Sequence, residues 1–265
     1  GNLMHFVYIA AAVLPAIIIL IYSYKQDSFP EPPKIVFKTF LFGCATVLGI
    51  DLIISELDTF SENNLSGETY NFFDTFIRAA FVEEFFKFCV IVFYCTRKTA
   101  FDEPIDGLVY GVAASLGFAA YENIGYVLHF YKEPSFEIAI FRAFTAVPMH
   151  ALCGIMMGFL ISKCIFEKTN NYMNLILALL IPVGMHGFYN FCFTSELVPY
   201  QLAYIFLLVF TIITIMVFKN LNKKQKKGII FNKKYFTISL NNFARVSSGI
   251  LIFYLGLNYL VSITI

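Results

Sequence analysis

The stretch FVEEFFKF, residues 81–88, places two glutamates and a lysine inside an aromatic, apolar run. Its flanks, AA before and CVIVFYC after, have the composition of a membrane helix. A charge at the centre of such a helix costs roughly 2.5–3.5 kcal/mol on insertion scales, so three facing lipid would cost on the order of 8–10 kcal/mol. Glu83, Glu84 and Lys87 are therefore expected to face a polar interior, to pair with one another, or to hold shifted proton affinities. Glu83 and Lys87 are i and i+4 in the favourable order and are expected to pair along one face. Glu84, rotated by about 100°, then needs a partner from another helix.

The rest of the chain sets the solvent. Of 265 residues, 58% are hydrophobic and 14% charged, against about 25% charged in soluble domains. Mean hydropathy is +0.71. Apolar runs long enough to span a bilayer fall at roughly 4–24, 35–54, 71–95, 105–130, 136–164, 172–193, 199–218 and 244–265. The prediction is an all-α, polytopic transmembrane bundle of about eight spans. It forms one membrane-embedded domain over 1–265, with the chemistry concentrated at about 71–193. The first run lacks a basic n-region and an A-x-A site, so it is expected to span rather than be cleaved. No internal repeat is visible. A net charge of +1 gives no basis for a nucleic-acid partner. The six cysteines lie in or beside apolar runs and read as packing residues.

Charge on the loops orients the bundle. Fifteen of the nineteen Lys and Arg residues flank alternate loops, among them the basic segment 219–234. The other loops carry Glu56, Asp58, Glu62, Glu68, Glu133, Glu137 and Glu196 against a lone Lys132. By the positive-inside rule, both termini are expected outside. The basic segment would then lie on anionic cytoplasmic lipid, an attraction of roughly 1 kcal/mol per basic residue. Docking of a soluble partner is the alternative reading of that loop.

Other runs carry polar groups at comparable depth: Glu122 and Asn123 in GFAAYENIGY, Arg142 and His150 in FRAFTAVPMHALCG, and His186 and Asn190 in PVGMHGFYNF. Pro182, His186 and Asn190 share one helix face, as do His150, Gly154 and Gly158. Pro148 and Pro182 are expected to disturb their helices. Acid, imidazole and amide groups facing one chamber are the parts of a hydrolytic site. A buried glutamate activates water, a histidine assists, and histidine and asparagine donate to an oxyanion. The same His150, His186 and Glu83 could instead hold Zn²⁺ with water in the fourth place. Spacing does not choose between these, because the ligands come from different helices and there is no HExxH. Lys87 reads as a counter-ion, Asn123 as an interhelical donor, and Arg142 as an outer anchor or the partner of a site carboxylate. Asp74 and Arg78 read as a rim pair, and Asp106 as a helix cap. A proton-coupled transporter uses the same residue types, and a non-catalytic scaffold could retain them.

EEFFK, DGLVYG, GFAAYEN, the arginine and histidine of FRAFTAVPMH, and HGFYN follow in the order found in the PrsW-type intramembrane proteases, which this sequence resembles over about 79–190. It is also similar to the wider superfamily of CaaX-prenyl endoproteases and bacteriocin-processing enzymes. In those, an arginine stands four after the second glutamate; here Lys87 stands three after Glu84. The resemblance implies a bacterial inner-membrane protease acting on a single-pass membrane protein, possible substrates including an anti-sigma factor. By motif, Glu83 or Glu84 would activate water with His150, His186 and Asn190 would stabilise the oxyanion, and Glu122 would be a further site carboxylate or ligand.

Overall fold

The computed structural model describes residues 2–129, 133–167, 171–231 and 233. The described residues up to Phe231 belong to one compact unit. Its elements are α1 (Asn2–Tyr24), α2 (Pro33–Asn64), α3 (Gly67–Phe72), a π-helical stretch (Phe73–Phe81), α4 (Val82–Phe93), α5 (Pro104–His129), α6 (Phe136–Phe144), α7 (Ala146–Phe166), α8 (Asn171–Thr194) and α9 (Gln201–Lys226). The all-α class is as the composition predicts.

Among the described residues, five helical stretches are long and apolar enough to cross a membrane: Leu3–Tyr24, Pro33–Asn64, Phe136–Phe166, Tyr172–Thr194 and Gln201–Lys226. The expected count of about eight is thereby corrected. The expected spans at 71–95 and 105–130 are helical but fall outside that set. The reason is physical: these two stretches carry the buried polar groups Glu83, Glu84, Lys87, Asp106 and Asn123, which lower their apolarity. The expected span at 244–265 lies outside the described residues, as does Arg245.

α5 is the axis of the bundle. From Ile105 to Ala120 every residue is buried. It can sit there because its backbone touches its neighbours directly. A Cβ on Gly111 would collide with the carbonyl of Gly154 on α7, and one on Gly158 would collide with the carbonyl of Gly107. Small residues thus let α5 and α7 approach closely, which is how helices associate where apolar burial supplies no drive. On α1, α2 and α9 many large apolar side chains point outward; Leu14, Ile18, Leu48, Leu52 and Met216 are all more than half exposed, as lipid-facing residues are.

Local chemistry shapes three helices beyond their patterning. The run expected at 136–164 breaks at Thr145, whose φ −127° and ψ −77° are not helical. Pro148 has no N–H for the Phe144 carbonyl, so a new helix starts, with proline tolerated in its first turn. Residues 73–81 widen into i→i+5 turns, a form often found at functional sites. Finally, α9 runs eight residues past the expected end of its span, to Lys226, so the first part of the basic segment is helix. Lysines in its last turn suit the helix dipole, and Gly228 at φ +65° follows the terminus.

Candidate active site

Four helices bring the expected polar residues together. α4 contributes Glu83, Glu84 and Lys87, α5 contributes Glu122 and Asn123, α7 contributes His150, and α8 contributes His186 and Asn190. Lys87 is fully buried and its Nζ donates to Glu84 Oε1 at 2.8 Å. Glu83 Oε2 stands 3.8 Å from the same nitrogen. This corrects the expected pairing: the closer partner of Lys87 is Glu84 at i+3 spacing, and Glu83 is the carboxylate left over. The ammonium also lies 4.1 Å from the centroid of the Phe118 ring, a cation–π contact.

The histidines are oriented by their neighbours. Lys87 Nζ lies 3.1 Å from His150 Nδ1. An ammonium only donates, so Nδ1 accepts, and the imidazole proton sits on Nε2, 3.2 Å from Glu122 Oε2. On His186 the Nδ1–H donates to Glu84 Oε1 at 2.9 Å. Its Nε2 is then a lone-pair acceptor, 3.8 Å from Glu83 Oε2. The two rings meet edge to face with centroids 4.9 Å apart.

Arg142 on α6 closes the other side. It pairs with Glu122, donates from Nε to Asn123 Oδ1 at 2.6 Å, and stacks 3.8 Å over Tyr126. Of its two expected roles, it takes that of partner to a site carboxylate. Asn123 Nδ2 donates to the Ala12 carbonyl at 2.7 Å, the interhelical bond expected of it. Arg78 binds Asp58 through Nε at 2.6 Å and Nη2 at 3.2 Å, with Asp74 farther off at 3.6 Å. The expected i, i+4 rim pair is therefore secondary to a fork across to α2, which the sequence separation of twenty residues hides.

These groups surround a cavity of about 420 Å³. Asp74, Arg78, Glu83, Glu122, Arg142, His150, His186 and Asn190 line it, with Tyr126, Phe141, Met149, Tyr189 and Phe193 as apolar walls. Glu84 does not line it and is fully buried. Glu83 Oε2 is buried and has no hydrogen-bond partner. Three carboxylates (Glu83, Glu84, Glu122) face two fixed cations (Lys87, Arg142), so the cluster carries a formal charge of −1 with neutral histidines.

Oxygen and nitrogen donors of Glu83, His150 and His186 all lie within 4.8 Å of one another. Two imidazoles and one carboxylate are a donor set for hydrolytic zinc. The unpartnered Glu83 oxygen and the uncompensated negative charge fit a cation there; to join, His150 would have to move its proton from Nε2 to Nδ1, giving up both the Glu122 contact and the Lys87 donation.

Buried acid and imidazole groups, with an amide at the wall of one cavity in a bundle of apolar helices, have the make-up of one class: a membrane-embedded hydrolase. Known proteins agree with that class. The family profile described as "PrsW family intramembrane metalloprotease" matches residues 31–217. The chain is 36% identical to "Protease PrsW" of Oceanobacillus iheyensis over 199 residues, covering 73% of this chain and 88% of that protein. It is 35% identical to "Protease PrsW" of Bacillus subtilis, over 72% and 84% of the two chains. It is 31% identical to that of Clostridioides difficile, over 81% and 89%. No solved structure matches. The chain belongs to the PrsW family and is an intramembrane protease. The transporter and scaffold readings give way to this.

Proposed function

We propose that Glu83 is the base that activates the attacking water, and that the single observation carrying this is its buried, unpartnered Oε2 at the cavity, 3.8 Å from His186 Nε2. Glu84 holds His186 as the Nδ1–H tautomer, so that Nε2 shares the incoming proton. His150 presents Nε2–H toward Glu122 and, with the Asn190 amide at the cavity wall, supplies donors for the oxyanion. This exchanges the histidine roles expected from the resemblance, and the cause is Lys87, which fixes the His150 tautomer. Glu122 and Arg142 orient His150. A metal, if used, is held by Glu83, His150 and His186, and when bound it polarises the scissile carbonyl and acidifies water.

The cavity is lined at the end of the bundle where α8 finishes and α6 begins, the end of the acidic loops. With both termini outside in a bacterial inner membrane, that end is the outer half of the bilayer. The substrate is a membrane-anchored protein cut there, an anti-sigma factor being one such single-pass protein. The basic segment 219–234 rests on anionic lipid, and residues 71–193 form the catalytic core of the single membrane domain. The test is terminal proteomics on membranes from cells expressing wild type or Glu83→Gln at matched levels. New N-termini near single-pass segments, present only with wild type, support the reading; identical termini overturn it.

A further inference from the structure

A second carboxylate cluster lies at the opposite end of the bundle from the cavity. Asp27, Glu31 and Asp106 are 6%, 3% and 1% exposed, and one oxygen of each lies within 4.8 Å of the others. Asp27 and Glu31 come from the α1–α2 connection, and Asp106 comes from the first turn of α5, far away in sequence. Their fixed donors are few. Asp27 Oδ1 accepts the Phe29 N–H at 2.9 Å and the Gln225 amide at 2.8 Å. Glu31 Oε2 accepts the Tyr110 hydroxyl. Asp106 Oδ2 accepts the N–H groups of Asp102 and Glu103 at 2.8 and 2.6 Å.

Asp27 Oδ2, by contrast, is buried with no hydrogen-bond partner. A buried carboxylate oxygen beside two further buried carboxylates is an arrangement that proteins rarely leave uncompensated. We propose that Asp27, Glu31 and Asp106 bind a hard divalent cation, Mg²⁺ or Ca²⁺. All donors are oxygen, which selects these ions over zinc. The site is distinct from the catalytic cluster in place and in ligand type.

The cation has a structural task that the neighbours make plain. Gln225 Nε2 on α9 bridges Asp27 and Glu103, and its Oε1 accepts the Ser28 N–H at 3.2 Å. Asn222 Nδ2 donates to the Gln26 carbonyl at 2.5 Å. Asp27 therefore also holds α9 to the α1–α2 connection, while Glu103, three residues before Asp106, holds it to the start of α5. The ion fastens three elements at one end while the chemistry proceeds at the other.

The experiment uses the full-length chain in detergent after chelator treatment, with Tb³⁺ as the oxygen-seeking probe. Tyr110 touches Glu31, so excitation of tyrosine sensitises Tb³⁺ bound here. The expected result is saturable sensitised emission, displaced by Mg²⁺ or Ca²⁺, whichever ion the site prefers. Affinity falls roughly tenfold in Asp27→Asn, since ligand charge sets affinity at such sites. Glu31→Gln gives the same loss and serves if Asp27→Asn fails to fold. The catalytic-site variant His186→Ala keeps the emission. Absent emission, emission that neither cation displaces, emission indifferent to both carboxylate variants, or emission lost equally in His186→Ala would each overturn the proposal. The first of these outcomes is also what a cluster neutralised by a shared proton would give.

Discussion

Glu84 and His186 meet at 2.9 Å, Oε1 to Nδ1, across 102 residues of sequence. The same oxygen takes the Lys87 ammonium at 2.8 Å. Glu84 is thus a hub behind the cavity, and its neighbour Glu83 is the carboxylate that faces it. Two adjacent identical residues have different surroundings because one helical step rotates them apart.

The separation predicts two different failures. Glu83→Gln is expected to cut proteolysis by about 10²–10⁴-fold while the protein folds as before. Glu84→Ala leaves Lys87 buried without its nearest partner, which costs about 3–5 kcal/mol, so folded yield falls along with activity. Thermal unfolding and a cleavage assay, run side by side on both variants, separate the two. Equal stability of the pair would remove Glu84 from the hub.

Arg142 holds Glu122, Asn123 and Tyr126 at once. Lysine keeps the charge but lacks the planar fork and the stacking face. Arg142→Lys is expected to lose about 1.5–3 kcal/mol of stability, the worth of hydrogen bonds to charged groups. Cleavage falls with it, because Glu122 positions His150. Arg142→Met is expected to be worse on both counts, since Glu122 is left unpaired. An unfolding series with wild type, lysine and methionine at 142 checks the order.

The long apolar runs made the membrane class legible, and the cost of charge in lipid made a polar chamber legible from FVEEFFKF and the polar groups of the later runs. Helix periodicity also placed His186 with Asn190, and the glycines of α7 with His150. Which carboxylate Lys87 would choose was not legible, because i+3 and i+4 partners differ only by a side-chain torsion and by what a third helix offers. The Thr145 break and the wide turns at 73–81 were hidden for a related reason: each depends on how a neighbouring helix satisfies the backbone. The Asp27–Glu31–Asp106 cluster was read only as a helix cap at Asp106. Asp106 does reach back to the N–H of Glu103 just ahead of α5, as the third residue of a helix can. Its neighbours in the cluster, Asp27 and Glu31, come from a loop some seventy-five residues earlier, which no local pattern announces.

The donor set Glu83, His150 and His186 makes a metal-dependent form of the proposed site testable. Stripping the protein with a strong chelator is expected to abolish cleavage, and zinc is expected to restore it at about one ion per chain. Glu83→Gln and His186→Ala should both retain less metal on elemental analysis. Full activity in protein shown to be metal-free would leave Glu83 and His186 to activate water unaided.

The close approach of α5 and α7 makes the last prediction the most geometric. Gly111 meets the Gly154 carbonyl, a backbone group that no rotamer change can move. Gly111→Val must push the helices apart, at a cost of about 1–3 kcal/mol or more for overpacking. The same displacement moves Glu122 on α5 from His150 on α7, and a misplacement of about 1 Å can cost about 10²-fold in rate. Gly184→Ala on α8 is the control, since a Cβ there meets nothing within 4 Å and alanine favours helix by up to about 1 kcal/mol. Unfolding midpoints and cleavage rates for the two variants should diverge in opposite directions from wild type in stability. If Gly111→Val were as stable and as active as Gly184→Ala, direct backbone contact would not be what sets the spacing of the catalytic helices.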